Sequence, residues 1–209
     1  MHSGSITNLG FHFDSQLSME NHISKTCASV HYHLKQISKV RDLINADTCK
    51  LLVHSFVTSR LDYCNSLLSG TSANQISRLQ KLQNRAAPLI TRTKQREHIT
   101  PILKSLHWLP IESRIQFKIL CFVFKVRSSS APEYISELLQ SHCPSRTLRS
   151  QSLGYYTVPN MSSHFRTKSF SYSAPKLWNA LPIEIKNCKT LGEFKKKLKT
   201  YLFSRVYNC

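Results

Sequence analysis

Residues 98–126 read HITPILKSLHWLPIESRIQFKILCFVFKV, and the reading of this stretch decides the fold. Thr100 before Pro101 has the form of a helix start, a capping hydroxyl followed by a proline whose missing N–H is no loss in the first turn. Ile102, Leu103 and Leu106 give the short helix one apolar side. It is expected to stop near Trp108-Leu109, because Pro110 disfavours helix in the residue before it. Pro110 then opens a second helix, apolar at Ile111, Ile115, Ile119, Leu120, Phe122, Val123, Phe124 and Val126, with Arg114, Lys118 and Lys125 as its polar line. At about 100° per residue these three cations fall within one narrow sector. A helix of this pattern is buried on most sides and exposes a single basic seam. Since burial stabilises by ~25 cal/mol per Å² of apolar surface, it is the natural core element.

The upstream chain supplies layers to pack around it. Leu9, Phe11 and Phe13 alternate with Gly10 and His12, the period of a strand, up to a turn at Asp14-Ser15. That strand reads as a lone one. Ser18 is placed to cap a helix with Ile23, Cys27, Val30, Leu34, Ile37 and Ile44 on its inner side. Asn45 or Ala46 begins another helix, with the stripe Leu51, Leu52, Phe56, Tyr63 and Leu67, ended by Ser69-Gly70. Ser72 and Gln75 form a capping box for the next. Its apolar side is Ile76, Leu79, Leu82, Ala86 and Ile90, flanked by Arg78, Lys81 and Arg85. Pro88 within that pattern removes a hydrogen bond at a cost of ~3 kcal/mol or more, so the helix is expected to end near Ala87 or to kink. Arg92, Lys94 and Arg96 form a basic loop leading back to the central stretch.

Downstream, residues 127–130 read as a linker, and Ala131-Pro132 starts a short helix with Glu133 and Glu137 near its positive end. Residues 143–160 are expected to be irregular, 169–173 a short strand, and 175–181 one or two helical turns with Trp178 facing inward. Thr190 and Glu193 cap a last helix with the stripe Leu191, Phe194, Leu198, Tyr201 and Leu202. Lys195, Lys196, Lys197 and Lys199 occupy its other faces. The expected fold is mainly α: a strand remnant over 1–17, a helical bundle over 18–127, a linker with a short helix over 128–145, and a less regular basic segment over 146–209.

The net charge is +18, from 29 Lys+Arg against 11 Asp+Glu, and such a chain seeks polyanions, nucleic acid foremost. The charge is concentrated: +1 over 1–75, +9 over 76–127, −2 over 128–145 and +10 over 146–209. The first residues show no secretory leader, and the longest apolar run, 119–124, is far short of a membrane span. Seven scattered cysteines without a CxxC pair read as reduced thiols of an intracellular protein, in nucleus or cytoplasm. Cys27 and His31 share a helix face but lack the companions that close a tetrahedral metal site, so neither metal nor cofactor is expected. A two-metal polymerase site needs clustered carboxylates, and none of the eleven acids forms an Asp-Asp or Asp-x-Asp pair. Asp62 reads as a cap or salt-bridge partner. The basic residues remain: Arg78, Lys81, Arg85, Arg92, Lys94, Arg96, Arg114, Lys118, Lys125, Lys195, Lys196, Lys197 and Lys199 can neutralise phosphates without reading sequence. Tyr155, Tyr156, Phe165, Phe170 and Tyr172, among Arg149, Arg166 and Lys168, can stack on bases, although packing of the C-terminal layer is the preferred reading.

The words HITPILKSLHWLP and RIQFKIL, with LVHSFVTSRLDYCNSLL and RLQKLQNRAA upstream and FSYSAPKLWNALPIEIKNCKTLGEFKKKLKTYLF downstream, resemble LINE-type (non-LTR, jockey-like) retrotransposon reverse transcriptases. The similar region is the part after the polymerase palm, and it covers roughly residues 9–203 in family order. The resemblance implies a thumb that grips the RNA or RNA–DNA duplex behind the active site, with the polymerase palm as a further partner. The family's Tyr-x-Asp-Asp motif is absent, so no polymerase activity is expected of this chain by itself. An inactive transposon remnant, which Pro88 and the missing aspartates favour, or a helical module binding protein through an apolar face, is the alternative.

Overall fold

The computed structural model describes residues 5–93, 97–142, 154–160 and 168–208. It opens on a hairpin in which β1 (Ser5–Asn8) pairs antiparallel with β2 (Phe11–Asp14). The turn Leu9-Gly10 has φ of 47° and 80°, a left-handed pair that matches the twist of the flanking strands. The expected lone strand therefore has a partner in the residues just before it, and Leu9 is an exposed turn tip. A two-stranded hairpin is marginal by itself; this one is anchored by buried Phe11, whose ring stacks on His22 at 3.8 Å between centroids.

Asp14, rather than Ser18, organises the entry to α1 (Glu20–Val40). Its carboxylate accepts from the backbone N–H groups of Gln16, Ser18 and Met19 and from the Ser18 hydroxyl. Ile23, Val30, Leu34 and Ile37 of α1 are buried as the spacing predicts. Asn45 caps α2 (Ala46–Val53), accepting from the Thr48 N–H at 2.8 Å. The chain then runs through a π-helical stretch, His54–Thr58, into α3 (Ser59–Asp62). Here the inner face is Cys49, Val53, Val57 and Leu61, while Leu51, Phe56, Tyr63 and Leu67 are exposed. A spacing of four drifts about 40° per step against a 3.6-residue period. The wider π turn absorbs that drift, which is why a stripe read at α-helical spacing falls on the wrong face.

In α4 (Ala73–Thr91) Ser72 makes no capping bond, because Gln75 is taken by Arg78 at 2.8 Å, so the capping box does not form. The helix does not end at Ala87 either. It passes through Pro88 to Thr91, and Arg92 closes it in the left-handed conformation, its N–H on the Pro88 carbonyl at 2.9 Å. The end is held from outside: the guanidinium of buried Arg41 donates to the carbonyls of Leu89, Ile90 and Ile44, a cation at the helix's negative pole.

His98, not Thr100, is the N-cap of α5 (Ile99–Ser105), and Pro101 is its third residue. The helix is stopped by a left-handed His107, with His107 N–H on the Lys104 carbonyl at 3.0 Å and Trp108 N–H on the Leu103 carbonyl at 2.9 Å. That pair of bonds is a Schellman closure. Pro110 is instead the N-cap of α6 (Ile111–Arg127). After it come α7 (Glu133–Ser136), α8 (Phe170–Asn179), α9 (Ile183–Lys186) and α10 (Leu191–Tyr207). The segment 169–173, expected as a strand, is the N-cap and first turn of α8, capped by Ser169. Trp178 is fully buried and donates Nε1–H to the Gly154 carbonyl at 3.0 Å. Asn179 exchanges two hydrogen bonds with the Tyr156 backbone, at 3.0 and 2.8 Å. The described part of 143–160 is thus tied to α8; residues 143–153 lie outside the described residues.

The central helix is buried as its sequence demands. Ile111, Ile115, Ile119, Leu120, Cys121, Val123 and Phe124 of α6 are all in the core, which is closed by α4, α8 and α10. Phe124 stacks on Phe194 of α10 at 4.4 Å. One continuous cluster runs from Phe11 through α6 to Leu202. The protein is mainly helical, and no helix among the described residues is long and apolar enough to cross a membrane. Replacing Pro88 by alanine restores a donor for the Asn84 carbonyl in an already formed helix. Urea denaturation is expected to show Pro88→Ala stabilised by up to about 3 kcal/mol.

Candidate nucleic-acid interface

The cations of α4 form a line because of their spacing. Taking 100° per residue, Arg78, Lys81 and Arg85 fall within a sector of about 60° over about 10 Å of helix axis, and Arg92, the left-handed residue that closes the helix, follows them with its guanidinium on the Arg41 carbonyl at 3.4 Å. The line faces α1: Arg78 donates to the Ser24 hydroxyl at 3.0 Å, and Arg85 lies 3.1 Å from a His31 ring nitrogen. Lys81, Arg85 and Arg92 are exposed. α4 contains no acid, and the one acid of α1 is Glu20 in its first turn, one turn before Ser24 on the same face, so a single carboxylate at the start of α1 stands against this row of cations. Lys35, one turn beyond His31, adds to it. Lys94 and Arg96 lie outside the described residues.

A second basic surface is assembled from α2, α6 and α10. Lys118 and Lys125 of α6 and Lys195 of α10 all lie near Cys121. Burial pushes the Cys121 thiol up, against the pull of those three ammonium groups. Beside them a cavity of about 700 Å³ opens between α2, α3, the loop 106–109, α6 and α10, with Lys50, His54, Lys118 and Lys199 in its wall. Arg114 lines it too, but its guanidinium is engaged: Nη1 meets Asp62 at 2.8 Å and Nε donates to the Leu109 carbonyl at 2.9 Å. Asp62 is the one carboxylate among the residues lining the cavity.

The remaining lysines of α10 do not join this surface. Lys197 pairs with Glu193 at 2.8 Å. Lys196 projects about 100° around the helix from Lys195. Lys50 and His54 went unrecognised in the sequence, although their i,i+4 spacing on one face was a signal. The C-terminal aromatics serve packing: Tyr156 is buried against Trp178, and the Lys186 ammonium sits 4.4 Å above the Tyr155 ring. Phe165, Arg149 and Arg166 lie outside the described residues. Among the described residues no group of three or more His, Cys, Asp or Glu side chains is placed to hold a metal ion.

Comparison with known proteins adds no relative: no family model, no curated protein and no solved structure matches the chain.

Asp62 neutralises one cation of the second surface, so its removal has a measurable consequence. Asp62→Asn is expected to free Arg114 and to steepen the log–log salt slope of polyanion binding by about 0.9, the value of one added phosphate contact. Titrations of RNA at several salt concentrations measure it.

Proposed function

We propose that this chain is a nucleic-acid grip that binds RNA or an RNA–DNA duplex through backbone phosphates. In this reading it is the non-catalytic C-terminal part of a LINE-type reverse transcriptase, the family its motifs resemble, and it acts in nucleus or cytoplasm. The observation that carries the reading is the α4 line, Arg78, Lys81, Arg85 and Arg92, set against an α1 face whose one acid is Glu20 at its start. Arg78, Lys81 and Arg85 over about two turns of α4, with Arg92 at its end, present a track, not a point, of positive charge. Such a track suits a strand of phosphates. Each neutralised phosphate releases counterions, which makes binding steeply dependent on salt and indifferent to base sequence. Lys118, Lys125, Lys195 and Lys199 supply a second place of contact for the same strand or its complement.

Charge reversal tests it. The triple variant Lys81→Glu, Arg85→Glu, Arg92→Glu changes three exposed residues and leaves Arg78, which is bonded to Ser24, in place. Its salt slope on an RNA–DNA hybrid is expected to be shallower by about 2.7, with affinity at low salt reduced more than a hundredfold and the circular dichroism spectrum unchanged. Affinity equal to that of the unaltered chain would remove the α4 face from the proposal. The alternative, a helical protein-interaction module, draws on an exposed apolar patch in which His33 lies 5.2 Å from Tyr32 and 5.1 Å from Phe56 between ring centroids. An unchanged affinity would favour it.

A further inference from the structure

The cavity between α2, α6 and α10 holds more than positive charge. Asn65, in the 3₁₀ turn that follows α3, is only 3 % exposed and lines it. Its Nδ2 donates to Asp62 Oδ1 at 3.3 Å. A carboxylate only accepts, so this bond fixes the amide orientation and leaves Asn65 Oδ1 as the acceptor. That oxygen is buried and has no donor. Asn65 steadies Asp62, itself paired with Arg114, in the wall of a space large enough for a small planar molecule.

Two aromatic rings line the same space, Trp108 and Phe117, both half-buried. The Trp108 backbone is held at both ends: its N–H bonds to the Leu103 carbonyl and its carbonyl accepts the Tyr207 hydroxyl at 2.7 Å. The indole is thereby presented at the cavity by a fixed backbone. Cations and aromatic side chains are together the complement of a nucleotide's phosphate and ring.

We propose that this cavity binds one unpaired nucleotide of a single strand. Its base lies against Trp108 or Phe117, while the adjoining phosphates meet Lys50, Lys118 and Lys199. The inference deepens the phosphate-grip reading and rests on it for the attraction of the strand. It adds a requirement for a base, which phosphate contacts do not impose.

The test compares a labelled RNA pentanucleotide with an abasic strand of the same backbone and length, by fluorescence anisotropy against the full chain. The base-bearing strand is expected to bind at least about tenfold tighter, the scale of stacking on an aromatic side chain. Tryptophan emission is expected to fall with that strand alone, since Trp178 is fully buried and Trp108 is the tryptophan lining the cavity. Phe117→Leu is expected to weaken the base-bearing strand several-fold and leave the abasic one unchanged. Equal binding of the two strands by the unaltered chain overturns the nucleotide pocket and leaves the phosphate grip standing. Binding of neither strand at low salt overturns both.

Discussion

The seating of α6 depends on one carbonyl. Leu109 C=O accepts from Gln83 Nε2 and from Arg114 Nε, each at 2.9 Å, while the next N–H of the chain, that of Ile111, donates to Gln80 Oε1 at 2.9 Å. Two glutamines one turn apart on α4 therefore hold the residues from which α6 starts. Gln83 is 2 % exposed, so its amide has no water to fall back on, and losing this bond would leave a buried polar group at a cost of about 1–3 kcal/mol. Arg114 carries the connection on to Asp62, and Asp62 to Asn65. One polar chain thus links α4, the loop before α6, α6 itself, α3 and the cavity wall, and the apolar core closes around it.

The amphipathic helices were legible because their spacing is local. The stripes of α1, α4, α6 and α10 are the ones buried, and Thr190 caps α10 by accepting from the Glu193 N–H at 3.2 Å. The same pattern at Ser72 and Gln75 failed for a local reason too, since Arg78 competes for the glutamine. Other features are set by partners distant in the chain. The turn of α4 beyond Pro88 is held by Arg41, far upstream, which bonds the carbonyls of Leu89 and Ile90. The π stretch 54–58 rotates the buried face of its segment by an amount that no regular period predicts. Leu9-Gly10 is a tight turn without the Asn-Gly or Asp-Gly signature, so the alternation on its far side looked like a strand with no mate.

The two basic surfaces differ in the same way. The α4 line can be read from one helix, because 78, 81 and 85 return to one side at 3.6 residues per turn and Arg92 directly follows the helix end. The second is a tertiary product. Lys118 is joined there by Lys199 from the last helix and by Lys50 from α2. Arg114 looked like the head of an exposed seam and is instead held by Asp62. Pairing of this kind divides the cations into those that structure the protein, Arg41, Arg114 and Lys197 among them, and those left to face a polyanion.

The account's central claim is that the basic faces grip nucleic acid by its backbone. Fluorescence anisotropy of the purified chain with an RNA–DNA hybrid and with duplex DNA of the same sequence, across a salt series, tests it most directly. The account predicts submicromolar binding at low salt, preference for the hybrid, and log affinity falling linearly and steeply with log salt. Weak binding that is indifferent to duplex form and to salt would contradict it.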